Sequence, residues 1–145
     1  MSKKLRVAVL MGGKSVEFNI SLMIGNDKPT PLPLIEIRPK REFFDYQAKY
    51  NPLLADEICP AGISKAMANK ARSAALKAYD SIGCRVFGRA DMIIKGSKIY
   101  TLEVNTIPGL TPVSLFPKAA KAAGITYPQL LDKIISLSLS NDTNN

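Results

Sequence analysis

Four polar residues on two predicted strands have a spacing that could hold a hard cation. Arg89 and Asp91 lie two residues apart, as do Glu103 and Asn105, so each pair shares one face of its strand because strand side chains alternate. Two carboxylates and an amide oxygen from neighbouring strands would suit Mg²⁺, which prefers oxygen ligands and often bridges to substrate phosphates. The same spacing is also typical of an ordinary exposed polar face on a half-buried sheet.

The register of the two strands decides between these interpretations. The strands are predicted on either side of a turn at residues 96–97. A loop of even length pairs Asp91 with Leu102 and sends Asp91 and Glu103 to opposite faces. An odd loop or a β-bulge brings the two carboxylates opposite each other. A shared cation site therefore requires one of these two irregularities.

The residues that are missing restrict the possible chemistry. The 145 residues include no histidine, which excludes Ser-His-Asp and Cys-His catalysis and metal sites with imidazole ligands. The two cysteines, Cys59 and Cys84, are far apart in the sequence. We predict two buried free thiols in a reducing compartment, and neither a zinc site nor a disulfide. The remaining carboxylate, amide, amine, guanidinium and hydroxyl groups suit Mg²⁺ and anionic oxygens such as phosphate.

The basic charge is compatible with several classes of partner. Twenty Lys and Arg against twelve Asp and Glu give a net charge of +8, which favours nucleic acid, anionic membranes or polyphosphates. The charges are scattered, and aromatic residues do not alternate with them in a stacking pattern. Most of this charge is therefore interpreted as a solvated surface, with phosphate binding as a specific part. No apolar run approaches the length of a membrane span and no signal-peptide pattern precedes Leu5, so we expect a cytoplasmic protein.

The hydrophobic pattern predicts an α/β fold. The segment 5–11 is typical of a buried strand, and the Gly12-Gly13 turn after it usually leads into a helix, as in a Rossmann-like βα unit. The Pro-rich stretch 29–33 indicates loop or edge structure. Further predicted elements are a half-exposed strand at 34–38, a helix at 65–81 between an N-cap at Ser64 and Gly83, a hairpin of 89–94 and 99–104, and helices at about 115–123 and 128–139.

Three groups of segments, in the same order along the chain, resemble the D-alanine–D-alanine ligases of the ATP-grasp superfamily. The first is Gly12–Ser21, which contains Gly-Gly-Lys-Ser-Val-Glu. The second comprises Phe43–Tyr50 and Cys59–Gly62. The third is Arg89-Ala90-Asp91, followed by Glu-Val-Asn-Thr-Ile-Pro-Gly-Leu-Thr and Ser-Leu within residues 103–115. The resemblance covers nearly the whole chain.

The resemblance implies a fold and a domain organisation. We expect the C-terminal subdomain of an ATP-grasp fold, an antiparallel hairpin sheet with flanking helices, plus a remnant Rossmann-like N-terminal strand. Family members are much longer, which implies a large internal deletion between about Met23 and Ile24. Residues 1–23 would be the remnant of the N-terminal domain, residues 24–139 the C-terminal ATP-grasp part, and residues 140–145 a disordered tail.

The resemblance also implies an activity, the ATP- and Mg²⁺-dependent joining of two D-alanines to D-alanyl-D-alanine for peptidoglycan synthesis, cell wall biogenesis and cell shape. Asp91, Glu103 and Asn105 would hold two Mg²⁺ ions, or Mn²⁺, that bridge the ATP phosphates. Arg89 would face the acyl phosphate and the tetrahedral intermediate, where a guanidinium stabilises growing negative charge. Glu17 would pair with the ammonium group of the first D-alanine.

The remaining roles concern the substrates. The resemblance implies that Gly109 contributes to the oxyanion environment through its backbone N–H. Ser114 and Leu115 would receive the carboxylate of the second D-alanine. Lys49 would lie near the transferred phosphate and Tyr50 near the substrate pocket. The implied partners are D-alanine and ATP, with neither nucleic acid nor membrane, and a homodimer is compatible with the family.

Two alternatives remain open. Much of the nucleotide clamp found in the family is missing, including its lysines, its acidic residues and its flexible loop over the phosphates. The chain could therefore be a non-catalytic ligase remnant that binds Mg²⁺ and phosphate weakly. A small basic nucleic-acid-binding domain is permitted by the charge but supported by no motif.

Overall fold

The computed structural model describes residues 17–24, 29–39 and 55–142. Within them, six strands form one antiparallel sheet and three helices pack on its faces. The strands are β1 Glu17–Ile24, β2 Pro29–Pro31, β3 Ile35–Pro39, β4 Ala55–Ile58, β5 Phe87–Lys95 and β6 Lys98–Asn105, and the helices are α1 Lys65–Ser81, α2 Leu115–Ala122 and α3 Tyr127–Asp142. The predicted strand 5–11 lies outside the described residues.

Strand β1 lies in the middle of the sheet, whose order is β4-β3-β1-β5-β6, with β2 paired to β1. A turn such as Gly12-Gly13 usually leads into a helix, as in a Rossmann-like unit, but the next described residues, 17–24, form a strand. Phe18 and Ile20 explain the difference: they are buried at alternate positions, the period of a strand and not of a helix. The same strand runs through the predicted junction at residues 23–24.

Helix α1 confirms its predicted bounds. The Ser64 side chain accepts a hydrogen bond of 3.2 Å from the backbone N–H of Met67, as an N-cap residue does. After the helix, Gly83 has a φ of +63°, the left-handed conformation for which a glycine is preferred. One face of α1 packs on the sheet, and the buried residues of this core are Phe18, Ile20, Leu34, Ala71, Ala75, Tyr79, Ala90 and Met92.

Helices α2 and α3 help to build a second core with β3 and β4. Its buried residues are Leu32, Ile35, Ile37, Ala55, Phe116, Ala119, Ala120, Leu130 and Ile134. Strand β3 differs from the half-exposed strand that we predicted, because residues 34–37 are all buried and only Arg38 is exposed. Ile35 and Ile37 belong to the α2–α3 core, and Leu34, the residue before the strand, belongs to the α1 core, so this segment contributes to both.

The smaller elements largely follow the sequence. The Pro-rich stretch contains the short strand β2, which pairs with the end of β1, in agreement with the predicted edge or loop structure. Helix α3 begins one residue before its predicted start and ends three residues after its predicted end. Cys59 and Cys84 are free thiols, as predicted, but half-buried instead of buried. Among the described helices, none combines the length and the hydropathy that crossing a membrane requires.

Candidate functional site

A β-bulge sets the register of the hairpin. The turn at Gly96 gives regular pairing from Lys95–Lys98 to Met92–Thr101. The register then shifts between Asp91 and Met92, so that Asp91 pairs with Glu103 instead of Leu102. Leu102 is therefore the extra residue of the bulge. The bulge thus sets the two carboxylates opposite each other, as a shared cation site requires.

The bulge assembles four predicted site residues on one face of the sheet. Asp91 lies opposite Glu103, and Arg89 lies opposite Asn105. Directly opposed residues of antiparallel strands project to the same side. Ala90 alternates with them and is buried in the α1 core. The four polar residues therefore lie on the face opposite α1.

Helix α2 lies beside this face. The ring of Phe87, two residues before Arg89, meets the ring of Phe116 edge to face with centroids 5.5 Å apart. The ion pair between Lys118 and Glu57 joins α2 to β4. These contacts fix the position of α2 relative to the polar face, and so bring its N-terminus near the hairpin.

Arg89 and Asp91 form a buried bidentate ion pair. The guanidinium donates from Nε to Oδ1 at 2.7 Å and from Nη2 to Oδ2 at 2.9 Å. The exposed fraction is 8% for Arg89 and 7% for Asp91. Such a fork fixes both side chains and gives strong, charge-assisted hydrogen bonds. Both carboxylate oxygens of Asp91 thus already interact with a cationic group.

The opposing strand supplies the more accessible donors. Glu103 is exposed, and Asn105 is half-buried. The Oδ1 atom of Asn105 accepts a hydrogen bond of 3.0 Å from the backbone N–H of Ile107. This bond orients the amide and starts the loop after β6. The oxygen atoms that could bind a cation therefore range from the buried carboxylate of Asp91 to the exposed carboxylate of Glu103.

The side-chain oxygens of Asp91, Glu103 and Asn105 are of the chemical type that binds hard divalent cations. Carboxylate and amide oxygens are Mg²⁺ ligands, and each such oxygen can accept more than one contact. No three His, Cys, Asp or Glu side chains in the described part of the chain cluster as metal ligands do. A cation here would thus depend on Asp91, Glu103, the amide of Asn105 and ligands from substrate or water.

The loop 106–114 connects this donor set to α2. Pro108 is buried, and the hydroxyl of Tyr127 donates a 2.8 Å hydrogen bond to the carbonyl of Leu110. A Cβ on Gly109 would lie only 2.9 Å from Oγ of Ser114. Glycine at this position therefore allows the backbone to approach the serine closely.

Ser114 precedes α2 but does not cap it with its side chain. Its Oγ lies 2.7 Å from Oγ1 of Thr111, and the side chain makes no cap hydrogen bond. The first N–H groups of a helix have no partner within the helix and attract anions. Ser114 and Leu115 thus lie at a helix end that suits a carboxylate.

The structure brings together some predicted residues and not others. Arg89, Asp91, Glu103 and Asn105 share a face, and Gly109 and Ser114 are in contact. The start of β1 pairs Glu17 with Ile93, two positions from the pair of Asn19 with Asp91. Lys49 and Tyr50 lie outside the described residues.

Sequence reasoning missed a second buried charge, Glu36. Glu36 is 4% exposed. Its carboxylate accepts a 2.6 Å hydrogen bond from Nε of Arg38 and a 2.9 Å hydrogen bond from the backbone N–H of Gly62. The second bond links β3 to the segment that leads into α1. Burial raises the pKa of Glu36, but these bonds and the charge of Arg38 outweigh that effect and lower its pKa overall. The local pattern could not reveal this cluster, because an acidic residue between two isoleucines indicates an exposed face.

Sequence reasoning also missed Thr111 and Tyr127, which hold Ser114 and Leu110 respectively. The Thr-x-x-Ser spacing before a helix could have drawn attention to Thr111. Nothing in the sequence links Tyr127 to the loop, because the two meet only after α2 and α3 have packed.

Comparisons with known proteins agree with this geometry. The family model described as "D-ala D-ala ligase C-terminus" matches residues 2–136. The D-alanine–D-alanine ligase of Syntrophobacter fumaroxidans is 50% identical over 121 residues, which are 82% of this chain and 39% of that protein. The enzyme of the same name from Carboxydothermus hydrogenoformans is 45% identical over 141 residues, 96% of this chain and 44% of that protein.

Solved structures show the same likeness. The D-alanine–D-alanine ligase from Bacillus anthracis complexed with ATP superposes with a TM-score of 0.75 and 36% identity over 90% of this chain and 40% of that one. The VanG D-Ala:D-Ser ligase from Enterococcus faecalis gives a TM-score of 0.70 and 34% identity over 88% and 37% of the two chains. This chain spans about two fifths of the length of the relatives that it matches. It belongs to the D-alanine–D-alanine ligase family, and its sheet and helices have the architecture of the C-terminal ATP-grasp part of those ligases.

Proposed function

We propose that this chain carries the cation-binding and acceptor part of a D-alanine–D-alanine ligase site. In a complete ligase, ATP phosphorylates the carboxylate of one D-alanine, the amine of a second attacks the acyl phosphate, and phosphate leaves. The dipeptide then serves peptidoglycan synthesis. The observation that supports the proposal most is the bulge at Leu102, which sets Asp91 opposite Glu103 and Arg89 opposite Asn105.

The cation would be held by oxygen donors from both strands. Asp91, Glu103 and Asn105 would hold two Mg²⁺ ions, or Mn²⁺ in their place. The metal would neutralise the phosphate charge and orient the transferred group. Arg89 lies on the same face and would bind the anionic oxygens of the acyl phosphate and of the tetrahedral intermediate.

The acceptor amino acid would lie against the loop before α2. Ser114 and Leu115 would bind its carboxylate at the helix N-terminus, an arrangement supported by the Ser114 hydroxyl, which faces Thr111 instead of capping the helix. The N–H of Gly109 would face the developing oxyanion. Positioning of the two reactants accounts for much of the catalysis in such reactions.

Three further roles rest on the family resemblance. Glu17 would bind the ammonium group of the first D-alanine, Lys49 would lie near the transferred phosphate, and Tyr50 would line the substrate pocket. The partners would be D-alanine and ATP, without nucleic acid or membrane, and the chain could form the family's homodimer. A cytoplasmic location is supported by the two free thiols, which persist in reducing compartments.

The division into residues 1–23, 24–139 and 140–145 is a proposal about descent. Strand β1 is continuous from Glu17 to Ile24 and pairs with both β3 and β5. The proposed junction between about Met23 and Ile24 would then lie within this strand.

A graft tests the proposed site in a complete enzyme. Residues 24–139 would replace the corresponding segment of the Syntrophobacter fumaroxidans ligase, to which this chain is 50% identical over 121 residues. We expect the graft to form D-alanyl-D-alanine from ATP and D-alanine. Glu103→Gln in the graft should lower kcat at least about a hundredfold, since it removes a charge from the cation site, whereas Asp132→Asn on the exposed side of α3 should not change it. A folded graft without activity, or an unaffected Glu103→Gln graft, would contradict the proposal.

A further inference from the structure

The carboxylate that is proposed to bind a divalent cation already binds a cationic side chain. Arg89 contacts both oxygens of Asp91, at 2.7 Å and 2.9 Å. Both residues are more than nine-tenths buried, so solvent and salt screen their charges weakly. A divalent ion that approaches Asp91 must therefore share the carboxylate with the guanidinium or displace it.

Arg89 could affect such an ion in two opposite ways. If the fork only orients Asp91, its removal should weaken cation binding, because the ligand loses its fixed geometry. If the guanidinium competes for the carboxylate, its removal should strengthen cation binding, because a positive charge next to the ion disappears. The burial of both groups makes the repulsion large, and Asp91 is also held within a central part of the sheet by β1 on its other side.

We propose that Arg89 is an internal competitor for the Asp91 carboxylate, which opposes a bare divalent cation and turns toward an anion once the cation occupies Asp91. This inference rests on the proposed function. Cation and phosphate binding are then coupled through one residue, since the ion releases the guanidinium that the phosphate needs. The arrangement disfavours an isolated metal ion and favours a metal ion that arrives with a polyphosphate.

The test measures Mn²⁺ binding to the full chain by electron paramagnetic resonance, without nucleotide. We expect Arg89→Met to bind Mn²⁺ about tenfold more tightly than the wild type, because a neighbouring positive charge is removed. Arg72→Met on α1 removes the same charge from the opposite side of the sheet and should stay within about twofold. Weaker or unchanged binding by a folded Arg89→Met variant would overturn the proposal.

Arg89→Met leaves the buried Asp91 carboxylate without its guanidinium and so could destabilise the fold. A second measurement therefore uses the wild-type protein. In the wild type, the Nε–H of Arg89 should give an NMR signal typical of a hydrogen bond to carboxylate, assigned by its loss in Arg89→Lys. Saturating Mg²⁺ should shift this signal toward that of an unbonded guanidinium. A signal that does not change while Mg²⁺ binds would also overturn the proposal.

The same titration separates this inference from the proposed function. Asp91→Asn and Glu103→Gln should each weaken Mn²⁺ binding at least about tenfold, since each removes a charged ligand. If neither does, the cation site itself is wrong. If both do and Arg89→Met fails to tighten binding, the cation site stands and only the competition is wrong.

Discussion

The buried Tyr79 and the half-buried Tyr127 use their hydroxyl groups differently. The hydroxyl of Tyr127 donates to the carbonyl of Leu110. Tyr79 is 1% exposed, and among the described residues no atom lies at hydrogen-bond distance and geometry from its hydroxyl. Burial, followed by the proximity of Cys84, raises the pKa of Tyr79, so the hydroxyl stays protonated. A buried hydroxyl without a partner destabilises the fold, whereas a bonded one stabilises it.

The two tyrosines therefore form a matched pair for mutation. We expect Tyr79→Phe to leave the free energy of unfolding unchanged or to raise it by up to about 1 kcal/mol. Tyr127→Phe should lower it by about 1 kcal/mol, because the carbonyl of Leu110 loses its donor. Urea unfolding followed by circular dichroism measures both values. An unstable Tyr79→Phe variant would mean that this hydroxyl has a partner in solution.

Glu36 should make stability depend on pH. Its pKa is lowered in the folded protein, since the bonds from Arg38 and Gly62 outweigh the effect of burial. A lowered pKa means that the carboxylate stabilises the fold fully above the ordinary value of 4.5, and that this contribution is lost as the pH falls through the folded pKa. Acid should therefore weaken the link between β3 and the start of α1.

The corresponding substitution is Glu36→Gln. At pH 7 it should lower the free energy of unfolding by about 1–3 kcal/mol, the range for a charged hydrogen bond. The difference from the wild type should shrink as the pH approaches 3. Asp132→Asn, at an exposed position on α3, should change stability by less than about 0.5 kcal/mol at either pH. A penalty for Glu36→Gln that grows in acid would show that the sign of the pKa shift is wrong.

At the scale of elements, the bulge of β6 determines which residue lies opposite Asp91. The turn at residues 96–97 alone would pair Asp91 with Leu102, and the extra residue corrects this register. Deleting Leu102 should leave Glu103 opposite Asp91 in a regular ladder, because the deletion removes the residue that the bulge accommodates. We expect Mn²⁺ affinity to remain within roughly threefold of the wild type.

The reciprocal change inserts one alanine after Leu102. With one bulge the inserted residue pairs Glu103 with Ala90, on the other face, and with a regular ladder it pairs Glu103 with Arg89, two residues from Asp91 along β5. In either register Glu103 no longer lies opposite Asp91, so Mn²⁺ affinity should fall at least about tenfold. Circular dichroism would verify that both variants keep the hairpin. If deletion and insertion weaken binding equally, the bulge shapes the site in some way beyond register.

At the scale of the whole molecule, the proposed cation site would form one side of a nucleotide site. The chain spans about two fifths of the length of its relatives, and the family resemblance implies that the lysines and the loop of the nucleotide clamp lie in the remaining part. Mg²⁺ prefers about six oxygen ligands and loses water reluctantly, which three protein donors satisfy only in part. We therefore expect Mg-ATP to bind this chain with a dissociation constant in the millimolar range, which corresponds to a binding free energy of about 4 kcal/mol.

Calorimetry with the wild type and Asp91→Asn tests this expectation. Binding should weaken further in the variant, and the purified chain should form no measurable D-alanyl-D-alanine. Micromolar binding that survives the substitution would place the nucleotide elsewhere. Dipeptide formation that Glu103→Gln abolishes would show that this chain is active by itself.

Local sequence signals determined the family and most elements. The cap at Ser64, the glycine at position 83 and the turn at residues 96–97 act over a few residues, so their outcomes could be predicted from the chain alone. The motif around Arg89, Asp91 and residues 103–115 carried the resemblance to the ligases because its residue types follow the family pattern at fixed spacing. Each of these signals depends on near neighbours in sequence.

Tertiary structure decided what depends on contacts between distant segments. The turn at residues 96–97 allowed two registers, and the bulge that aligns Asp91 with Glu103 is seen only in the paired strands. Glu36 occupies a position that alternation assigns to a solvated face, yet Gly62 and the packing around α1 bury it. Residues 17–24 form a central strand because β3 and β5 pair with both of its edges. Such pairings bring together groups far apart in sequence, and their energies depend on the assembled sheet instead of on any local pattern.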